Sequence, residues 1–245
     1  MDWIFGIHAV QSILKSSPQR VTELRVLRGR QDARLQKVLN LADQHGVAVN
    51  WSTAKQLDEK ADGRHQGVIA LCKDGETYDE GFLARLVEER GQGGFFLMLD
   101  GVTDPHNLGA CLRSADGAGV QGVIVPKDNS VGLTPVVSKV ASGAAETIPL
   151  IMVTNLARTL KKLQQLGVWA VGTTGDAEKT IYEIDLKGPI VLVMGSEGSG
   201  MRQLIRTQCD FLAKLPMAGE VSSLNVSVAT GVCLFEAVRQ RNPAT

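Results

Sequence analysis

Residues 214–237 read KLPMAGEVSSLNVSVATGVCLFEA. An apolar run that leads into a helix-like segment here carries Ser222, Ser223, Asn225, Ser227 and Thr230, interrupted only by small residues such as Ala229, Gly231 and Cys233. Small polar side chains weaken a helix interior because they bond the backbone in competing conformations. At an N-cap they are favoured, since free amides there need acceptors. A Ser or Asn is therefore expected to start a helix, with Leu224, Val228, Val232 and Phe235 recurring at helical spacing as its buried stripe. Ser223 and Asn225 fall near that start, where unpaired amides point outward. Upstream, Leu215 and Pro216 close a strand and Gly219 turns the loop. The stretch is one strand–loop–helix unit.

Working outward, the same unit repeats. From Phe95 onward the apolar runs FFLMLD, GVIVP, TIPLI, VWAVGTT, IVLVMG and FLAKLPM alternate with helical segments. Continuous apolar strands between helices predict an α/β domain with a mostly parallel sheet covered on both faces. Ligands of such sheets bind beyond the carboxyl ends of the strands, so the loops that follow the strands are the places to look for chemistry.

Two more of those loops are unusual. DGVTDPHNLGACLRSADGAG follows the strand ending at Asp100; Pro105 and Asn107 suit a turn and a helix start, and Gly109 and Ala110 keep the first turn slim. Arg113 then lies in the second turn, either as a surface ion pair with Asp116 or Asp104 or as a phosphate clamp. IVLVMGSEGSGMR runs from a strand into Gly195, Glu197, Gly198 and Gly200. It is not a P-loop, because Met201 and Arg202 stand where Lys and Ser or Thr would be and Glu197 would repel phosphate; the dinucleotide order of glycines is absent too. The glycines imply close approach to the backbone by something neutral or cationic.

Residues 1–73 show a smaller alternation. GIHAVQSILKS and DARLQKVLNLADQHG read as helices, and VTELRVLRG, VAVNWS and HQGVIALC as strands, giving a small α/β domain. Residues 74–94, DGETYDEGFLARLVEERGQGG, place a short amphipathic helix between acidic residues and Gly91, Gly93 and Gly94, as in a mobile linker. The domains expected are thus 1–73 and 95–245.

The 245-residue chain is 44% apolar and 21% charged, an ordinary globular composition, with no net charge. The balance hides a split. Residues 1–75 hold 11 Lys and Arg against 8 Asp and Glu, a net +3, and the remainder holds 15 against 18, a net −3. Arg20, Arg25, Arg28, Arg30 and Arg34 concentrate the basic excess, either as a solvated face or as a phosphate-binding one. Four scattered cysteines without a CxxC pair predict neither zinc nor disulfides, and no metal site is expected. Apolar runs such as Pro189 to Met194 are too short to span a bilayer, and the N-terminus lacks a basic region before its apolar residues. The expectation is a cytosolic protein with no membrane partner.

The three loops together resemble the three sequence motifs of the SpoU family of RNA ribose 2′-O-methyltransferases, within the SPOUT class. NLGACLRSA is similar to the first motif, VMGSEGSGM to the second, and LPMAGEVSSLNVSVATGVCLFEA to the third. The resemblance extends through GIHAV and HQG to the whole chain, and is closest to the bacterial members that methylate a guanosine of 23S ribosomal RNA. It implies a deep trefoil knot in the catalytic domain, an exception to the rule against threaded chains. It implies a homodimer, and S-adenosylmethionine bent within the knot. Carried over by motif, Gly195, Leu215 and Leu224 would line the adenosyl pocket, with Met217 and Ser223 nearby. Asn107, Arg113, Glu197 and Asn225 would form the polar centre. The N-terminal domain resembles the L30e-like ribosomal protein fold and would grip RNA.

Members of the family have been assigned an arginine base at the position of Arg113, yet a guanidinium stays protonated at ordinary pH. The reading preferred here is a clamp that holds RNA phosphate and stabilises the forming alkoxide, oriented by Glu197 and Asn225, with phosphate or water taking the proton. Two alternatives remain at this level: a transfer RNA methyltransferase of the same family, and an RNA-binding protein without catalysis. Intact motifs argue against the second.

Overall fold

The apolar runs of the sequence become the strands of two separate sheets. The computed structural model describes residues 1–30, 32–61, 63–73 and 78–242. It divides into one unit of Met1–Glu76 with Leu133–Thr147 and another of Thr77–Gly132 with Ile148–Thr245.

The first unit contains β1 (Asp2–Phe5), α1 (Ile7–Ser16), β2 (Val21–Leu27), α2 (Ala33–Gln44), β3 (Val49–Ser52), α3 (Ala54–Asp58) and β4 (Val68–Cys72). The sheet order is β1-β4-β2-β3, with β4 antiparallel to both neighbours and β3 parallel to β2 at the edge. Strand β1 and helix α3 are too short to show a period and were not expected. The Asp32 carboxylate fixes the start of α2 by accepting from the amides of Arg34 and Leu35, each at 3.0 Å. The Leu35 amide, with the Arg30 guanidinium beside it, holds that carboxyl below its usual range. Helix α2 then buries Leu35, Val38 and Ala42, one stripe at helical spacing, against Leu24, Val26, Val68 and Ala70. Segment Leu133–Thr147, including the helix Pro135–Ala141 (α6 in chain order), belongs to this unit although it was expected in the second domain. Ser12 Oγ donates to the Gly143 carbonyl at 3.0 Å, and Arg20 Nη1 reaches Glu146 at 2.5 Å. Burial raises the Glu146 carboxyl above its usual range although Arg20 opposes the shift.

The second unit runs α4 (Glu80–Arg90), β5 (Phe95–Asp100), α5 (Pro105–Gly117), β6 (Gly122–Pro126), β7 (Leu150–Val153), α7 (Leu156–Gln165), β8 (Trp169–Thr173), β9 (Lys179–Thr180), β10 (Ile190–Gly195), α8 (Gln203–Gln208), β11 (Phe211–Lys214) and α9 (Val226–Arg241). Its sheet order is β7-β6-β5-β10-β8-β11-β9, and every pairing is parallel. The chain winds outward from β5 through β6 to β7 on one side and continues on the other, so the order reverses at the β5/β10 pair.

Two expectations need correction. Residues 74–77 of the expected linker lie outside the described residues, but residues 80–90 do not form a mobile connection. Leu83, Leu86 and Val87 of α4 are buried in the core with Phe96, Met98 and Ile151, and burial of each such side chain stabilises by roughly 1.5–3 kcal/mol. The acidic flank misled the reading, because Glu80 pairs with Arg158 and Lys162 of α7. Helix α9 also turns a different face inward. It buries Val226, Thr230, Cys233, Leu234 and Ala237, while Val228 and Phe235 are 52% and 51% exposed and Leu224 is 38% exposed. The segment is apolar nearly all round, so spacing alone could not choose the inner face.

Candidate active site

The carboxyl ends of β8, β10 and β11 open on one cleft of about 350 Å³ in the second unit, beside the point where the strand order reverses. Gly195, Leu215, Met217, Ser223 and Leu224, the five expected cofactor residues, all line it, as does Glu197. Thr173, Met194 and Ala229 add further wall.

Gly195 ends β10 where the chain doubles back. A Cβ there would stand 2.2 Å from the Gly200 carbonyl carbon and the Met201 nitrogen, so no other residue fits. The turn closes through Gly200 N donating to the Ser196 carbonyl at 3.0 Å, with Gly198 and Gly200 at φ +80° and +67°. Its far end is pinned by Asp100, 1% exposed at the tip of β5. That carboxylate accepts from Arg202 N at 2.8 Å and Arg202 Nε at 2.7 Å. Neither Asp100 nor Arg202 was picked out from the sequence. The available signal was an acid closing the otherwise apolar FFLMLD, since a buried carboxylate needs a partner.

The polar centre assembles around Glu197. Its Oε1 accepts from Asn107 Nδ2 at 3.2 Å, from the Val226 amide at 3.3 Å and from Asn225 Nδ2. Asn225 Nδ2 also reaches Asn107 Oδ1 at 3.0 Å. Of the Ser or Asn caps expected from the sequence, Asn225 is the one formed: its Oδ1 accepts from the amides of Ser227 and Val228 at 2.9 and 3.4 Å. One residue thereby starts α9 and ties it to the first turn of α5 and to the loop after β10. Farther along, Thr230 is fully buried and donates to the Val226 carbonyl at 2.7 Å, while Cys111 Sγ approaches its hydroxyl at 3.6 Å. The small polar residues are thus partly cap and partly close packing between α5 and α9.

Arg113 is not in this network. It lies on the exposed side of α5, whose buried stripe is Asn107, Leu108, Cys111, Leu112 and Ala115, and makes no hydrogen bond or ion pair among the described residues. Among the described residues Arg113 is not paired with Asp104, and Glu197 and Asn225 bond Asn107 rather than Arg113. Among the described residues no group of three or more His, Cys, Asp or Glu is placed to hold a metal, and no helix is long and apolar enough to cross a membrane.

Residues 94–235 match the model of the SpoU rRNA Methylase family. The chain belongs to this family. Its residues 3–78 match the family model for RNA 2′-O ribose methyltransferase substrate binding. SpoU relatives include the 23S rRNA (guanosine-2′-O-)-methyltransferase RlmB of Pseudomonas aeruginosa, 59% identical over 98% of this chain and 97% of that protein. The Escherichia coli protein of the same name is 55% identical over 98% and 99%. Among solved structures, the SpoU methyltransferase AviRb from Streptomyces viridochromogenes, in complex with AdoMet, superposes with a TM-score of 0.80 at 23% identity, over 98% of this chain and 90% of that one. That likeness supports the SpoU fold.

Proposed function

We propose that this protein transfers the methyl group of S-adenosylmethionine to the ribose 2′-hydroxyl of a guanosine in 23S ribosomal RNA. The observation that carries the reading is that the second and third motif loops line one cleft, and that Asn107 of the first is hydrogen-bonded to Glu197 and Asn225 of the other two. Relatives alike over nearly the full length of both chains favour ribosomal over transfer RNA, and an intact site favours catalysis over binding alone.

The residues present fit the cofactor. The cleft is within the roughly 300–1,000 Å³ usual for small ligands, with Leu215, Met217 and Leu224 for the adenosyl group and backbone at Gly195 and Ser223 beside them. When bound, S-adenosylmethionine supplies a methyl group on a cationic sulfur, which becomes a neutral thioether on transfer to the ribose oxygen. A single carboxylate, Glu197, therefore suffices on the cleft wall, and three donors on its Oε1 keep it fixed. Positioning is the main work of such a site. Glu197, Asn107 and Asn225 hold the ribose, and Arg113, whose guanidinium is unengaged among the described residues, binds RNA phosphate and steadies the forming alkoxide. The proton leaves to phosphate or water.

The unit containing residues 1–73 grips the RNA, a role supported by the match over residues 3–78 and by its net positive charge. The threaded knot is part of the same reading, supported by membership of the family. So is a homodimer, for which the exposed Val228 and Phe235 on α9 supply an apolar face, and so is a cytoplasmic location, where ribosomal RNA is assembled. The test is transfer of labelled methyl from S-adenosylmethionine to unmodified 23S ribosomal RNA, with the modified ribose mapped by reverse transcription. Label on a guanosine 2′-oxygen is expected; no incorporation, or incorporation into a base, refutes the assignment.

A further inference from the structure

Five arginines of the first unit form a cluster in the sequence, and the structure sorts four of them, Arg20, Arg25, Arg28 and Arg30, by what their guanidinium groups already do. Arg20 is held by Glu146 at 2.5 Å and by the Lys73 carbonyl at 3.1 and 3.2 Å. Arg25 is paired with Glu23 at 2.7 Å and lies over the Trp3 ring, 5.4 Å from its centroid. Arg28 and Arg30 differ: with Gly29 and Trp51 they line a cavity of about 430 Å³. Trp51, on the edge strand β3, is 47% exposed. Arg28 Nε donates to the Trp51 carbonyl at 3.2 Å, and its two Nη groups make no hydrogen bond among the described residues. Arg30 is fixed by Asp32 at 2.5 Å and by the Gln66 carbonyl at 2.6 Å. Gly29, at φ +76°, has nothing within 4 Å of the place a Cβ would occupy, so the space between the two arginines is open.

We propose that Trp51, Arg28 and Arg30 form a subsite for one unpaired RNA nucleotide, its base stacked on the Trp51 indole and its phosphate bound by Arg28. A half-exposed indole next to a preset, unneutralised guanidinium offers the two things that single-stranded nucleic acid needs, a flat π-surface for the base and a cation for the backbone. Arg28 is the phosphate ligand because its charge is uncompensated, whereas Asp32 already neutralises Arg30, which serves as the wall. Protein side chains are a poorer occupant, because the rim of the indole is charged rather than apolar. The inference rests on the reading that RNA is the substrate, and it assigns one contact of that RNA to the first unit, which contributes no residue to the cleft.

The experiment uses the full chain and two probes, fluorescein-labelled octauridylate and an inorganic polyphosphate of eight units. Trp51→Ala is expected to weaken octauridylate binding about 5- to 150-fold while leaving polyphosphate binding unchanged, and Trp51→Phe to restore most of the loss. Trp51→Leu keeps apolar bulk without the extended flat face, so it guards against a folding defect in the alanine variant and should also bind weakly. Arg28→Ala should lower the slope of log K against log salt by about 0.7. Octauridylate affinity within twofold of the unaltered protein in Trp51→Ala, an equal loss on both probes, or an unchanged salt slope in Arg28→Ala would overturn the subsite. Methyl transfer by the unaltered protein to 23S ribosomal RNA is measured alongside, so that failure of the subsite and failure of the proposed reaction read out separately.

Discussion

Arg113 and Gly195 mark the two extremes of what a single residue can do at this site. Gly195 is irreplaceable for a steric reason, since the backbone of residues 200–201 occupies the volume of its missing side chain. Gly195→Ala should destabilise the fold by about 3 kcal/mol or more and abolish cofactor binding, read by thermal melting and calorimetry; a variant that melts and binds like the unaltered protein would show that the turn can open. Arg113 is the opposite case, exposed and without a side-chain partner among the described residues, so Arg113→Ala should leave the melting temperature and cofactor affinity nearly unchanged. Methyl transfer should fall by orders of magnitude, because the lost interaction is made with RNA. Arg113→Lys separates clamp from base: a clamp predicts low activity without a pH trend, a base predicts activity rising with pH. The sequence made both residues visible as types in a loop after a strand. It could not show that Glu197 would bond Asn107 instead of Arg113, which depends on which stripe of α5 faces inward, nor that Asp100 would lie in the site, which depends on Arg202 reaching back across 102 positions.

Helix α9 shows where an element is legible and where it is not. Its start was readable in outline, because small polar residues ahead of the helix suit a Ser or Asn cap, and Asn225 is the one that caps it. Its orientation was not, because both faces are apolar: one packs on α5 and β10, and the other leaves Val228 and Phe235 in the open. An exposed stripe of this kind is expected to be covered by a second copy. Phe235→Glu should therefore shift the protein from dimer to monomer in sedimentation with little change in the melting temperature of the dissociated chain, and a variant that sediments as before would remove α9 from the interface. The inner face makes a separate prediction. Burial pushes the Cys111 thiol up to about 11 and that of Cys233 up to about 12, so at pH 8 neither should react with iodoacetamide until the protein unfolds. The sign for stability follows. A raised folded-state value favours the neutral thiol, so this contribution is whole below about pH 8.5, the free-thiol value, and is lost as pH climbs through 11 to 12.

At the scale of the whole molecule, the class of fold was legible because parallel strands buried on both faces must be continuous apolar runs, and those runs mark β5, β6 and β10 residue for residue. The partition of the chain was not. Composition suggested a clean cut between residues 1–73 and 95–245, but Leu133–Thr147 clusters with the N-terminal residues, a long-range association that no local pattern records. The consequence can be measured. A chain starting at residue 78 keeps every element that lines the cleft, so it should still bind S-adenosylmethionine. It loses Ser12 and Arg20, the partners of Gly143 and Glu146, and it leaves the buried Val137, Ala141 and Ala144 without the strands and helices they belong with. Glu146, whose carboxyl is raised by burial, should return towards its ordinary value once exposed and ionise without cost. Residues 133–147 of the truncated chain should then exchange amide hydrogens at rates near those of an unfolded peptide and become the first site of proteolysis, while β5, β8 and β10 stay protected. Retained protection across 133–147 in the truncated chain would mean that this segment folds on the second unit by itself, and that the N-terminal residues are an independent module after all.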